Sequence, residues 1–303
     1  MFRPPARRTG LAAATTLLLA TVACGGNGDG GPLGPSDPSD PSNPLAVVGD
    51  TIYAVDLDGA FLMFGMESAE TVSRTTQLQG VPQGRRLVGL DYRPSDGRLY
   101  GVGNDSRVYL VDPVASTATP VSTTPFSPAI SVNDDIHFGM GFDPGTDEIR
   151  LISAETASSW TIDPDDGTAV LDGFVRYVDG DPNEGQTPRI SAFSFIPAGA
   201  ASGSLAAAAA GPLCEERGYA IDAELDIVIG MCVHESTEFE TLFELNITVV
   251  RCGEVAFDSR GNLIVISLSE GENRLGRMDT ESGDVDWFAS VPAASPIQAI
   301  AMP

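Results

Sequence analysis

Residues Leu87 to Val121 read LVGLDYRPSDGRLYGVGNDSRVYLVDPVASTATPV, and this stretch decides the fold. LVGLDY and RVYLVD are rich in Val, Leu and Tyr, which suit a pleated, half-buried surface. Turn chemistry bounds each run: Pro94-Ser95-Asp96-Gly97, Gly103-Asn104-Asp105, then Asp112-Pro113. No run is long enough, or periodic enough at 3.6 residues, to make a helix. The stretch therefore predicts four short antiparallel strands: LVGLDY, RLYGVG, RVYLVD and TATPV.

Looser copies follow. An apolar strand ending in Asp and a turn recurs at Asp112, Asp163, Asp222 and Asp279, with FLMFG ending in Gly65 as a fifth copy. The copies lie about 47 to 59 residues apart, within the range of propeller blades. A second fingerprint, a pair led by Ile or Leu, precedes each copy: Ile52-Tyr53, Leu99-Tyr100, Ile149-Arg150, Leu205-Ala206 and Leu263-Ile264. Opening strands sit at Gly89, Gly141, Phe193 and Ala256, and a last one, AIAMP, ends the sequence. An opening strand at Ile297 to Met302 and a following strand at Thr51 predict one blade shared by both ends of the domain. The expectation is an all-β propeller of five blades, each of four antiparallel strands. Closing the ring leaves no long sheet edge to pair with other chains.

The residues before the domain read differently. Residues 1–23 carry a basic head, Arg3, Arg7 and Arg8, and an apolar core from Leu11 to Val22 too short to span a membrane. Thr21-Val22-Ala23-Cys24 resembles the lipobox of bacterial lipoproteins, with Thr21 where Leu is usual, so Cys24 is the expected lipid acceptor. Residues 24–44, rich in Gly, Pro, Ser and Asp, are expected to form an extended tether, and residues 45–303 the propeller. Those features predict export and anchoring at the cell envelope, outside the cytoplasm.

The formal charge is −25, from 42 acidic and 17 basic residues, and every base is arginine. A nucleic-acid partner needs a basic footprint, which this chain lacks. The expected partners are the membrane, through the lipid, and an unidentified protein or small-molecule ligand. Outside the cytoplasm disulfides are stable. Cys214 with Cys232 is the favoured pair, and Cys232 with Cys252 competes.

GRRLVGLDYRPSDGRLYGVG, FGMGFDPGTDEIRLIS and DGDPNEGQTPRISAFSF resemble the bacterial domain of unknown function 4394 family, over about Arg85 to Phe195. The resemblance implies an exported, propeller-like repeat domain and implies no activity.

The chemistry-bearing residues are few. His137 and His234 are the only histidines, and no G-x-S-x-G elbow is present. Both histidines read as loop residues. Asp179, Asp181 and Asn183 place oxygen atoms at the alternate spacing a calcium ion favours, although Glu184 stands where a calcium loop has Gly. An Asx-turn loop accounts for the same residues. The recurring Asp112, Asp163, Asp222 and Asp279 read as turn caps, one per blade. Asp91, Arg93, Asp143 and Asp258 sit where opening strands would line or leave a central channel, where propellers place ligands. The functional expectation is a binding or scaffold module with no catalytic residue and no obligate cofactor. The alternative is a calcium-assisted, lactonase-like propeller hydrolase.

Overall fold

The computed structural model describes residues 51–130, 137–197, 217–232, 237–247, 250–258, 260–269, 271–279 and 282–303. The expected signal, tether, Cys24, Cys214 and His234 lie outside the described residues.

The quoted stretch folds as β4 (Leu87–Tyr92), β5 (Leu99–Gly103), β6 (Arg107–Asp112) and β7 (Thr117–Pro120), one antiparallel sheet in that order. The next blade is β8 (Phe138–Phe142), β9 (Ile149–Ser153), β10 (Ser158–Ile162) and β11 (Ala169–Phe174). After β12 (Arg176–Tyr177) come β13 (Ile190–Phe195), β14 (Arg217–Asp222), β15 (Ile227–Cys232) and β16 (Glu238–Glu244). The fifth blade is β17 (Val250–Phe257), β18 (Leu263–Ser269), β19 (Glu272–Met278) and β20 (Val285–Val291). The first blade joins β21 (Ile297–Ala301) to β1 (Thr51–Asp56), β2 (Ala60–Gly65) and β3 (Arg74–Gln77). Closure is a regular antiparallel ladder, Tyr53 opposite Ala301, Ala54 opposite Ile300 and Val55 opposite Ala299. The chain is a five-bladed β-propeller, as the repeats predict.

Burial explains the order of strands in each blade. The inner strands β8, β13 and β21 are buried along their whole length. Each has a neighbouring blade on both faces, so its sequence is a run of apolar and small residues, interrupted only by Gln298 in β21. The outer strand β3 instead alternates half-buried and exposed positions. The core is divided into five apolar seams, one between each pair of neighbouring blades. The seam that closes the ring packs Ile52, Leu62 and Phe64 of the first blade on Ile264, Ile266 and Leu275 of the fifth.

Two features depart from the repeat pattern. In the fourth blade the run ending at Asp222 is the second strand, β14, and the third is β15. Residues 198–216 intervene between β13 and β14, and they displace the fingerprint by one strand. The expected pair Leu205-Ala206 falls outside the described residues. The fourth sheet also carries a fifth strand, β12, which pairs in parallel with β16. Arg176 of β12 forms an ion pair with Glu238, and the Tyr177 hydroxyl donates to Asp222 Oδ2 at 2.5 Å. This connector covers an outer edge that would otherwise be bare. The preceding connector does the same for the second blade through a parallel bridge between Gln79 and Thr117.

Two outcomes follow. Removing Ile297–Pro303 takes out the closing strand, and the shortened chain is expected to lose its cooperative thermal transition by circular dichroism. Gly139 lies so close to the next inner strand that a Cβ there would come within 2.5 Å of Phe193 Cβ. Gly139→Val is expected to cost about 2–3 kcal/mol in urea unfolding through overpacking.

Candidate functional site

The five inner strands run side by side around the axis, β4 next to β8, then β13, β17 and β21, which returns to β4. Aligning them on Pro94, Pro144, Pro197 and Pro303 gives equivalent positions. Gly89 corresponds to Gly139, Ala192, Glu254 and Gln298. Asp91 corresponds to Gly141, Ser194, Ala256 and Ile300. Small residues dominate because a narrow ring leaves little space. Against that background the polar side chains Asp91, Ser194, Glu254 and Gln298 stand out.

Two of them satisfy backbone groups that a sheet edge leaves over. An inner strand has no further strand on its axial side, so its edge amides need another acceptor. Asp91 Oδ2 accepts from the Phe142 amide of the next blade at 2.7 Å, and Oδ1 accepts from the Tyr92 amide at 2.8 Å. Glu254 Oε1 accepts from the Val255 amide at 3.0 Å and from the Phe193 amide of the preceding blade at 3.3 Å. Burial pushes the Asp91 carboxyl up to about 7, against the opposing pull of its two amide partners. Burial also raises Glu254 well above the usual carboxylate range, and the charge of Asp91 adds to that.

At the end where the inner strands exit, a cavity of about 160 Å³ opens on the axis. Four inner strands line it with Asp91 and Tyr92, Phe142, Ser194 and Phe195, and Ala256 and Phe257, and Met302 and Pro303 just beyond β21 complete it. Its walls are largely aromatic and aliphatic, with Asp91, Ser194 and Asp258 as the polar residues. Such a mouth can hold an apolar group and offer it a hydrogen bond.

Of the four acids and bases expected around the channel, the cavity brings together Asp91 and Asp258. The Asp258 carboxylate is spent locally, accepting from the Arg260 and Asn262 amides at 2.9 and 2.7 Å. Asp143 does likewise for its own turn, accepting from the Gly145 amide at 2.8 Å. Arg93 leaves the strand and staples the second blade to the third, with Asp165 at 2.6 Å and Asp147 at 2.7 Å. The recurring aspartates cap turns: Asp112 takes the Val114 and Ala115 amides, Asp163 the Asp165 amide, Asp222 the Glu224 amide and Asp279 the Ser282 amide.

The loop weighed as a calcium site is tied into the protein. Asp181 accepts from the Asn183 amide and from the amide and hydroxyl of Thr241 on β16, all at 2.7–2.8 Å. The Asn183 side chain donates to the Thr241 hydroxyl and accepts from Gln186. Asp179 lies on the surface against Arg176. Among the described residues, no three His, Cys, Asp or Glu side chains converge as metal ligands would. Cys232 is disulfide-bonded, and the side chains of both proposed partners, Cys214 and Cys252, lie outside those described. His137 is buried beside β8, and its carbonyl accepts from the Ala154 amide at 3.0 Å. Glu254 was not among the expected residues. Its signal is an acid in the middle of an apolar inner strand, Gly253-Glu254-Val255-Ala256-Phe257.

A family model described as "Domain of unknown function (DUF4394)" matches residues 60–301. No curated protein matches the chain significantly. Similar solved structures include a nidogen/laminin complex, with a TM-score of 0.50 and 10% identity over 84% of this chain and 98% of that one. Another is an auxiliary nutrient binding protein from Bacteroides ovatus, with a TM-score of 0.43 and 14% identity over 70% of this chain and 55% of that one. A protein of unknown function from Bacteroides thetaiotaomicron gives 0.48 and 13% over 82% and 60%. At 10% identity the likeness to the nidogen/laminin complex shows the fold alone.

The raised Asp91 carboxyl carries a pH signature. The folded state holds this proton more tightly than the unfolded chain, whose carboxylates titrate near ~4. Its contribution is therefore full below that value and is lost as the pH rises through about 7. Asp91→Ala also strands the Phe142 amide, at a cost of about 1–2 kcal/mol. Melting curves from acid to mild base are expected to show the variant below the wild type in acid, with the gap closing as the pH passes neutrality. Parallel curves would mean that Asp91 does not titrate in that range.

Proposed function

This chain belongs to the DUF4394 family, and we propose that it is a binding module, exported and anchored at the cell envelope by a lipid on Cys24. The observation that carries the binding reading is the axial mouth, to which four inner strands and the residues just after the fifth each deliver a side chain. The reading of anchoring rests on the basic head, short apolar core and lipobox-like Thr21-Val22-Ala23-Cys24, followed by a Gly- and Pro-rich tether. A net charge of −25 with no lysine suits a solvated surface and argues against a nucleic-acid ligand.

The size and lining of the mouth say what would enter. Whole small-molecule sites usually enclose ~300–1,000 Å³. At about 160 Å³ the mouth takes one end of a ligand, an apolar or aromatic group, and leaves the rest outside. Phe142, Phe195 and Phe257 supply the contact surface. Asp91, its carboxyl pushed up to about 7 by burial, is partly protonated near neutrality, and in that form it can donate a hydrogen bond where an ionised carboxylate could only accept.

The test uses residues 45–303 and saturation-transfer NMR against a library of small aromatic alcohols and amides. Ala256→Trp fills the mouth, and ligands seated there should lose their signal in this variant. Retention of every signal would remove the mouth as the binding site. Anchoring is tested separately: incorporation of labelled palmitate in the native host should vanish in Cys24→Ser.

A further inference from the structure

A second recess lies at the opposite end of the inner strands. It is a groove of about 530 Å³ between the first and second blades, walled by the Leu57–Gly59 turn and by the connector that leads from β3 to β4. The connector is fixed from several sides. Gln79 bridges to Thr117, and Gly80 packs so closely on the Ala118 carbonyl that a Cβ would come within 2.1 Å of its oxygen. The Arg85 amide closes a turn onto the Pro82 carbonyl at 2.9 Å. Arg86 is held at its backbone on both sides by Asn104, at 3.2 and 2.9 Å. Its Nε donates at 3.0 Å to Oε1 of Gln298, an inner-strand side chain only 2% exposed. A buried amide on the axis thus orients a guanidinium at the groove.

The charge of this groove is opposite to that of the molecule. Acids outnumber arginines 42 to 17, and Arg93, Arg98, Arg107, Arg150, Arg176 and Arg189 each form ion pairs with acids. Arg85 is exposed, lines the groove beside Arg86, and pairs with no acid among the described residues. Leu57, Val81 and Pro82 supply an apolar wall. Asp58 on the opposite lip is the one acid in the lining, and it disfavours a second negative charge on whatever binds.

We infer that this groove is a binding site for a singly charged organic carboxylate with an apolar body. The carboxylate meets the Arg85–Arg86 pair, whose planar donor forks match its two oxygens. The body lies on the Leu57, Val81 and Pro82 surface. The site is separate from the axial mouth and does not depend on the function proposed for it.

Benzoate and its neutral isostere benzamide are the probes, titrated into residues 45–303 with amide chemical shifts as the readout. Benzoate should shift the Gly59 and Gly84 amides and leave those of Ser194 and Phe257 unmoved, and benzamide should bind at least ~10-fold more weakly. Arg85→Gln removes an exposed side chain that pairs with no acid among the described residues, and should weaken benzoate by a similar ~10-fold factor while leaving the melting temperature unchanged. Asp58→Asn should tighten it. Equal binding of the two probes, an undiminished benzoate affinity in Arg85→Gln, or shifts confined to the mouth would each overturn the assignment.

Discussion

A sheet set on edge around an axis must bury both of its faces, and the only surface available to each face is the next blade. That constraint organises this protein. Every seam is apolar on both sides, and each blade is stable only because two others flank it. The arrangement has no natural end until the fifth blade meets the first. The ladder between β1 and β21 is therefore the join that converts five marginal sheets into one core. Continuous apolar inner strands and alternating outer strands are both consequences of position along the radius.

The same constraint makes the axis unusual chemically. Five inner strands cannot converge with large side chains, so Gly89 and Gly139 occupy places where a Cβ would strike a neighbour. Converging edges also leave amides without strand partners. Asp91 and Glu254 answer that need by reaching across to Phe142 and Phe193. The acids are therefore structural bonds between blades before they are anything else. Their burial is what raises their affinity for protons, and a ring held by carboxyls of that kind presents a mouth that differs between acid and base.

How much of this the residues announce varies from blade to blade. The second blade is legible because Pro94-Ser95-Asp96-Gly97 and Asp112-Pro113 mark its turns and its strands are of ordinary length. The fourth is not, because residues 198–216 separate its first two strands and move the fingerprint onto the wrong one. Strand β12 has two residues and no periodicity, so its pairing with β16 is a tertiary fact with no local signal. Around the axis, Asp91, Arg93, Asp143 and Asp258 read alike as residues at strand ends. Strand β4 stops at Tyr92, however, and that one step sends Asp91 to the axis and Arg93 to the third blade. Glu254 is hidden by the reverse effect, since an acid within an apolar run reveals nothing of which strand edge it must satisfy.

Topology separates the two recesses. Inner strands exit at the axial mouth, and the connectors from outer strands arrive at the other face, so nothing built at one end crowds the other. Their chemistry diverges for the same reason. The mouth is made from strand ends, where apolar seam residues and edge-capping acids dominate. The groove is made from a connector, which carries no seam and can hold charge, and there Arg85 and Arg86 sit against the general acidity of the chain. Strand β4 links them: its Leu87 lines the groove, and its Asp91 and Tyr92 line the mouth. The strand that closes the ring bears on both less directly, since Gln298 of β21 orients Arg86 at the groove and Met302, just beyond it, lines the mouth.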